Sequence, residues 1–376
     1  MIYLDNCATT RVDDDVLALF QKYSTELYYN PSALYREANG VAKAIEQARS
    51  QIANVLHCSG KEVFFTSGGT EGDNIVLSGS LRPGDRLLTT AGEHSAVYQV
   101  AQEWKSRGIS VEYLKLNADG SVREEDLLEK LQTPAQMVSI MHVNNETGVV
   151  NDIQRLCALT KSRQPKCLFM TDGVQSFCKI PTDIKNLGVD FFTCSSHKIH
   201  GPKGVGAVYH AKALRPILYG GGQEGGLRSG TENVAGIVAF GLAAEKENAL
   251  QRELSERFLA YTEEILSALQ NAGLSYLVLS EHRAPNIFSF ALKDVNSEVL
   301  MRMLDDKGII VGIGSACNSR HGRDRVVKAI GLPGAYVNGV VRIGYSKYNT
   351  PEEIKTFCTV LTESAKIVSA LIGGKK

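Results

Sequence analysis

A glycine-rich turn at Thr66–Glu71 joins a predicted strand to a predicted helix and reads Thr-Ser-Gly-Gly-Thr-Glu. Glycines such as Gly69 let the backbone approach an anion closely, and the helix N-terminus supplies free N–H donors. Thr70 adds a hydroxyl donor, and the absence of a Gly-Lys-Ser/Thr ending excludes a nucleotide P-loop. Taken alone, the turn fits a phosphate site and an ordinary capped glycine turn equally well.

Two charged side chains follow later strands of the same pattern. Asp172 comes after the apolar run Cys167–Thr171, and Lys198 follows the run Phe191–Cys194. The carboxyl ends of parallel strands face the ligand crevice of an α/β sheet. A lysine in a partly desolvated pocket can lose its proton and attack an aldehyde. Taken singly, Asp172 also fits a helix cap, and Lys198 also fits a basic surface loop.

The order of these three sites along the chain matches the needs of pyridoxal 5′-phosphate (PLP). That cofactor requires an anchored phosphate, a carboxylate that keeps the pyridine nitrogen protonated, and a lysine that binds its aldehyde. Ser195 and His197 are placed to donate hydrogen bonds to the phosphate. We therefore predict that Lys198 carries PLP and that Asp172 faces the ring nitrogen.

Predicted strands and predicted helices alternate along the part of the chain that must position these residues. Apolar β-rich runs alternate with helical patterns, which predicts an α/β fold with a mostly parallel seven-stranded sheet. The predicted strands are Glu62–Thr66, Arg86–Thr90, Ser110–Leu114, Met137–Val143, Cys167–Thr171, Phe191–Cys194 and Gly206–His210. The last run follows a Gly/Pro turn, which predicts an antiparallel return strand.

A long helical pattern from Asn233 to about Gln270 predicts a connection to a smaller α/β lobe. The predicted strands of that lobe are Ile287–Ala291, Ile309–Gly312 and Val340–Ile343. We expect residues 13–250 to form a large cofactor-binding domain, and residues 1–12 and 251–376 to form a small domain. The N-terminal dozen residues should pack near the site or onto the small lobe.

Composition excludes several classes of function. The chain has 41 basic and 41 acidic residues, which argues against a general nucleic-acid or anionic-membrane binder. Its start lacks a signal-peptide pattern, and apolar stretches such as Ile237–Ala244 are too short to span a bilayer. None of the eight cysteines has zinc-site spacing, so no metal site is predicted. We expect a soluble cytoplasmic protein.

A set of motifs extends over nearly the whole chain. It consists of Tyr3–Thr10, Asn30–Ser32, Thr66–Glu71, Glu93–His94, Asn144–Gly148, Asp172–Gln175, Ser195–Lys198, Arg228–Asn233, Gly314–Cys317 and Arg342. With this set the chain resembles a NifS/IscS-type cysteine desulfurase, a member of the class V aminotransferase group of fold-type I PLP enzymes.

The resemblance implies roles for residues near the cofactor and the substrate. His94 would stack on the cofactor ring and shuttle protons. Asn145 and Gln175 would lie near the phenolic oxygen of the cofactor, with Asn145 also near the substrate carboxylate. Arg342 would hold that carboxylate, for which a guanidinium fork suits the geometry. Asn30 would line the substrate side.

The resemblance also implies a homodimer, because Thr231 would reach the phosphate in the neighbouring subunit. Cys317 would attack the sulfur of L-cysteine, which gives L-alanine and a persulfide for transfer to an iron–sulfur scaffold or a tRNA-thiolation protein. Glycine and polar residues surround Cys317, and nearby cations favour its thiolate. Those cations are Arg320, His321, Arg323 and Arg325.

Some positions depart from the family pattern, and other functions remain open at this stage. Tyr35 stands where a histidine is expected, and the loop after Cys317 is unusually basic. The alternatives within enzymes are a selenocysteine lyase, a cysteine sulfoxide or cystine lyase, and a small-amino-acid transaminase. A binding or scaffold protein that keeps the PLP fold is a further alternative, which the presence of Lys198, Asp172 and His94 disfavours.

Overall fold

A computed structural model describes residues 1–313 and 325–373. Within these ranges the strands, β1 to β12 in chain order, are Ile2–Leu4, Val63–Thr66, Arg86–Thr90, Ser110–Leu114, Met137–Ser139, Leu168–Asp172, Phe191–Ser195, Gly206–His210, Tyr276–Val278, Ile287–Leu292, Ile309–Val311 and Val340–Gly344. The helices, α1 to α12, are Asp14–Thr25, Arg36–Leu56, Gly69–Ser80, Ser95–Ser106, Glu124–Lys130, Ile153–Arg163, Ile184–Leu187, Val234–Asn271, Ser297–Asp305, Arg325–Ala329, Gly334–Val337 and Pro351–Gly373.

The seven-stranded sheet has the order β2-β8-β7-β6-β5-β3-β4. Strand β8 is antiparallel to both of its neighbours, and the other ladders are parallel. This confirms the α/β prediction and the antiparallel return strand. The strand predicted from Met137 to Val143 is too long, because regular pairing ends at Ser139. Beyond it, Ile140 and His142 still donate backbone hydrogen bonds to β6, but not as a continuous ladder.

The central strands read as unbroken apolar runs because both faces of the sheet are covered. In β7, Phe192 belongs to the core beneath α2 and α8, whereas Phe191 belongs to the core beneath α3 and α4. Both phenylalanine side chains are fully buried. The sheet therefore fixes where the side chains at its carboxyl edge emerge.

Helix α8 contributes to two separate hydrophobic cores. Its first part, which includes Phe240, packs into the core of the large sheet, and its second part, which includes Phe258, packs against β10 and β12. A change of core partway along one helix supports the division into residues 13–250 and a small domain, which we retain as a proposal.

The remaining strands form two smaller sheets. Strands β9, β10 and β12 are antiparallel in the order β12-β10-β9, and β1 pairs with β11 in parallel. The N-terminal strand therefore pairs with a strand from the C-terminal part of the chain, and the residues after β1 reach the candidate site described below. The sequence analysis does not predict β1 and β9, each of which has only three residues.

Candidate active site

A cavity of about 290 Å³ lies at the carboxyl ends of β6 and β7. The predicted residues that line it are Gly69, Thr70, His94, Asn145, Asp172, Gln175, Ser195, His197, Lys198 and Arg342. A larger and more open depression of about 800 Å³ lies elsewhere and contains none of the predicted residues. The smaller cavity is therefore the candidate active site.

Lys198 ends a short 3-10 turn that follows β7. Its Nζ donates to the carbonyl oxygens of Cys7 (2.6 Å) and Ala8 (2.9 Å). Burial lowers the pKa of the Lys198 ammonium from its ordinary value. Lowering the pKa raises the fraction of neutral amine, which is the nucleophilic form.

The glycine turn between β2 and α3 forms an anion cradle. Gly68 has φ +153°, which side chains rarely adopt, and α3 begins at the next residue with its N–H groups free of helical partners. A Cβ on Gly69 would lie 2.5 Å from Val174 Cγ2, so a larger residue there would displace the Val174 side chain. Ser195 and His197 line the same cavity. Free N–H groups, hydroxyls and an imidazole make a donor set that fits a phosphate.

Asp172 is the last residue of β6 and is 3% exposed. Its Oδ1 accepts a hydrogen bond from Val174 N (2.9 Å). Burial raises the pKa of Asp172, while His94 and Lys198 oppose that rise. A buried carboxylate facing a cavity fits a positively charged ring nitrogen. The cradle, Asp172 and Lys198 together fit PLP.

His94 is the N-cap of α4, and its Nδ1 accepts a hydrogen bond from Ala96 N (3.2 Å). The neutral imidazole therefore carries its proton on Nε2. Burial lowers the pKa of His94, and Lys198 and Arg325 lower it further, against the attraction of Asp172. A neutral imidazole on the cavity wall is able to accept and return a proton.

Arg342 lies in β12 and is 6% exposed. Its terminal nitrogens donate to Asn145 O (2.9 Å) and to Asp5 Oδ1 (2.6 Å). Its Nε is buried and finds no hydrogen-bond partner among the described residues. Buried donors without a partner are rare, so the Arg342 guanidinium keeps one hydrogen-bond donor that no described residue uses.

Two predicted site residues, Asn30 and Thr231, do not line this cavity in the single chain. Asn30 is exposed, and its Oδ1 accepts a hydrogen bond from Ser32 N (2.9 Å). Thr231 is exposed as well. Cys317 lies outside the described residues.

The predicted site residues do not include several residues of the cavity wall, namely Asp5, Cys7, Asp73, Glu146 and Arg325. Asp5, Cys7 and Glu146 lie inside quoted motifs, so a residue-by-residue reading of those motifs would have found them. Burial raises the pKa of Glu146 to about 7. Arg325 belongs to none of the motifs that carry the resemblance, and from the sequence we expect it only to favour the Cys317 thiolate.

The described residues contain no cluster of three or more His, Cys, Asp or Glu side chains suited to a metal ion. In the same part of the chain, no helix has both the length and the apolar character needed to cross a membrane.

The model of the family "Aminotransferase class-V" matches residues 2–357. The chain therefore belongs to the class V aminotransferases, which are PLP enzymes. A protein from Trichormus variabilis named "Cysteine desulfurase 2" is 37% identical and covers 94% of this chain and 90% of its own length. Within the class V family, the chain thus groups with the cysteine desulfurases.

Solved structures agree with that grouping. A NifS-like protein superposes with a TM-score of 0.91 at 34% identity, covering 97% of this chain and 99% of its own. A structure of SspA in complex with cysteine has a TM-score of 0.80 at 29% identity, covering 93% of this chain and 100% of its own. The resemblance to NifS/IscS-type cysteine desulfurases and the fold-type I architecture are confirmed.

Proposed function

We propose that this chain uses PLP to remove the sulfur from L-cysteine and release L-alanine. The observation that carries the proposal is the convergence of Lys198, Asp172 and the N-terminus of α3 on one cavity. Relatives named cysteine desulfurase, and the cysteine complex of SspA, support cysteine as the substrate.

The cavity residues divide into groups that would hold different parts of PLP. The phosphate would be held by Gly69, Thr70, Ser195 and His197, the ring nitrogen by Asp172, and the phenolic oxygen by Asn145 and Gln175. When bound, PLP supplies an electron sink that stabilises negative charge at the substrate Cα. The Nε2 of Gln175 already donates to Cys7 O (3.0 Å), which keeps its amide directed into the site.

Lys198, His94 and Arg342 would handle the substrate. The Arg342 guanidinium binds the carboxylate of cysteine and so orients its Cα. The Lys198 amine takes the proton from Cα, for which its lowered pKa supplies a neutral base. The His94 imidazole would return a proton through Nε2 to the carbon that loses sulfur.

Cys317 would receive the sulfur. Its thiolate attacks the substrate sulfur and forms the S–S bond of a persulfide, while the C–S bond breaks and the electron pair stays with carbon. Protonation of that carbon, together with return of the Cα proton from the Lys198 amine, completes alanine. The persulfide then passes to an acceptor protein, either an iron–sulfur scaffold or a tRNA-thiolation protein.

A homodimer would complete the site. Thr231 lies outside the cavity of its own chain, but it stands in a segment tied to α3 by the ion pair of Arg228 with Glu71 (3.0 Å). A second copy that covers this face would bring Thr231 to the phosphate of its partner. Gel filtration with light scattering should therefore give twice the chain mass.

We also expect the enzyme to work in the cytoplasm. The described cysteines are all free thiols, and a reducing compartment preserves such thiols. The charge balance gives no reason to expect direct binding to nucleic acid or to a membrane.

Two variants test the function. Lys198→Ala should lose the yellow colour and the borohydride-reducible attachment of PLP, and retention of both would refute the cofactor assignment. Cys317→Ser should keep the colour and lose persulfide formation from cysteine. Alanine, sulfide, pyruvate and selenide are measured in parallel, because a selenocysteine lyase or a transaminase would give a different product pattern.

A further inference from the structure

Arg325 holds the backbone that presents His94 to the cavity. Residues 91–94 form the entire connection between β3 and α4. One terminal nitrogen of Arg325 donates to Ala91 O (2.5 Å), and the other donates to Glu93 O (2.6 Å). The guanidinium thus joins two carbonyl groups of a four-residue connection that ends at His94.

Other side chains hold the same connection, so Arg325 completes a set. Asn144 Nδ2 donates to Gly92 O (2.8 Å), and Thr90 Oγ1 accepts from Gly92 N (3.0 Å). Three consecutive carbonyl groups are therefore bound by side chains, two of them by Arg325. Loss of one donor would leave carbonyl groups without partners and would loosen the connection.

An aromatic ring also contacts the guanidinium of Arg325, in addition to the two carbonyl groups. Arg325 Cζ lies 4.1 Å from the centre of the Tyr98 ring, within range of a cation–π interaction. Tyr98 belongs to α4, the helix that His94 caps. Arg325, on α10, is thus bound to both sides of His94 along the chain, and it lines the cavity itself.

We propose that Arg325 is a positioning residue for the reaction, which fixes the backbone that presents His94 and keeps a positive charge beside its imidazole. The proposal rests on the role of His94 proposed above. The titratable and charged groups around that imidazole are Asp172 at the end of β6, His197 and Lys198 after β7, and Arg325 itself. Lys198 and Arg325 both disfavour an added proton on His94, and Asp172 favours it.

Two substitutions separate the two parts of this role. Arg325→Gln removes the positive charge and the two hydrogen bonds to Ala91 O and Glu93 O. Arg325→Lys keeps the charge but replaces the planar guanidinium, which donates to both carbonyl groups, by a single ammonium. Arg107→Gln is the matched control, because Arg107 follows the other end of α4 and also lies over an aromatic ring, Trp104 (5.5 Å).

The readouts include two that do not depend on turnover. Hydrogen exchange of the peptide spanning 90–98, measured with and without PLP, reports the order of the connection. An NMR titration of ¹³C-labelled histidine in the cofactor-free protein, assigned with His94→Gln, reports the protonation of His94. Steady-state rates against pH supply kcat and KM separately.

Arg325→Gln should speed exchange of this peptide, move the His94 titration and the acidic limb of kcat to higher pH, and lower kcat roughly 10- to 100-fold with little change in KM. Arg325→Lys should speed exchange but leave the His94 titration near that of the wild type. Arg107→Gln should change none of these.

Unchanged exchange and an unchanged His94 titration in Arg325→Gln would overturn the proposal. A rise in KM alone would also overturn it, because Arg325 would then be a substrate-binding residue. If Arg325→Gln does not fold, hydrogen exchange of the peptide spanning 90–98 in Arg325→Lys still tests the proposal. Full activity in His94→Gln would refute the proton role of His94, while exchange and titration would still test Arg325.

Discussion

The side-chain nitrogen of Lys198 lies 2.6 Å from the carbonyl oxygen of Cys7, although 191 positions separate the two residues. Cys7 follows β1, which pairs with β11 of the small lobe. A lysine that follows a strand of the seven-stranded sheet is thus held by a segment that begins in the two-stranded sheet of β1 and β11. Neutral carbonyl groups orient the amine without the strong preference for the charged form that a carboxylate partner would impose.

The lowered pKa of Lys198 predicts a cost in stability for the cofactor-free protein. Below the folded-state pKa, Lys198 is charged in both the folded and the unfolded states, and burial then disfavours folding in full. Lys198→Met should therefore raise the melting temperature at pH 7 by at least about 2 °C. The gain should fade as the pH rises toward about 10.4, where the unfolded lysine also loses its proton.

The exposed Lys61 provides the control for this measurement. Lys61→Met should leave the melting temperature and its pH dependence unchanged. Equal stability of Lys198→Met and the wild type at pH 7 would show that the two carbonyl contacts compensate the burial of the ammonium.

Asp172 predicts the opposite dependence on pH. Burial raises its folded-state pKa, so the ionised carboxylate disfavours folding in the cofactor-free protein above that pKa. Asp172→Asn should raise the melting temperature at pH 7, and the gain should vanish below about pH 4, where both states are protonated. The same variant should lose activity roughly 100-fold or more, because the charge facing the cofactor is gone.

A second buried aspartate supplies the contrast. Asp126 is 4% exposed, but it accepts a hydrogen bond from Lys115 N (2.9 Å) and lies near the ammonium of Lys130 (3.9 Å). Asp126→Asn should lower the melting temperature at pH 7. If Asp172→Asn lowers the melting temperature by a similar amount, the ionised Asp172 stabilises the cofactor-free protein, which would contradict the prediction.

Gly312 leaves space for the Arg342 side chain. A Cβ at Gly312 would lie 2.7 Å from Asp5 Oδ1 and 2.8 Å from Arg342 Nε. Gly312→Ala should displace the guanidinium and lower kcat/KM for cysteine roughly tenfold, mainly through KM, with PLP absorbance retained. Gly334→Ala is the control, since its Cβ would meet no atom within 4 Å. An unchanged KM in Gly312→Ala would argue against Arg342 as the carboxylate site.

Local patterns in the sequence are enough to predict much of the fold and the residues at the centre of the candidate site. Lys198 and Asp172 could be predicted because each follows an apolar strand, and strands place the residues after them at one edge of the sheet. The contacts of Arg325 could not be predicted, since its partners Ala91 and Glu93 are 234 and 232 positions away and are backbone carbonyls. No side-chain pattern marks a carbonyl acceptor.

Other parts of the site depend on more than one chain or on segments too short for periodicity. Asn30 and Thr231 were assigned through the resemblance alone, and the single chain leaves both exposed. The Cys7 carbonyl reaches Lys198 because three residues, Ile2–Leu4, pair with β11. A strand of that length is defined by its tertiary partner and not by its own sequence.

A buried charge network behind the Lys198 turn predicts the sharpest effect on stability. Glu247 of α8 accepts from Lys179 Nζ (2.5 Å) and from Lys347 Nζ (3.2 Å), and it is 1% exposed. Burial opposes its ionisation, yet Lys179, His200 and Lys347 lower the pKa of Glu247 to about 2. Glu247→Gln should lower the free energy of unfolding at pH 7 by about 3–5 kcal/mol, because the buried ammonium of Lys179 loses its counter-ion. Lys347 keeps its ion pair with Asp13 (2.5 Å).

The pH dependence of that loss follows from the sign of the shift. The stabilisation by Glu247 is complete above about pH 4.5, the ordinary carboxylate value, and is lost as the pH falls toward 2. Urea unfolding between pH 3 and pH 7 should therefore show the wild type and Glu247→Gln converging at the acidic end. Glu253→Gln, at an exposed position of the same helix, should match the wild type throughout. A constant difference across this range would mean that packing, and not the charge of Glu247, stabilises the network.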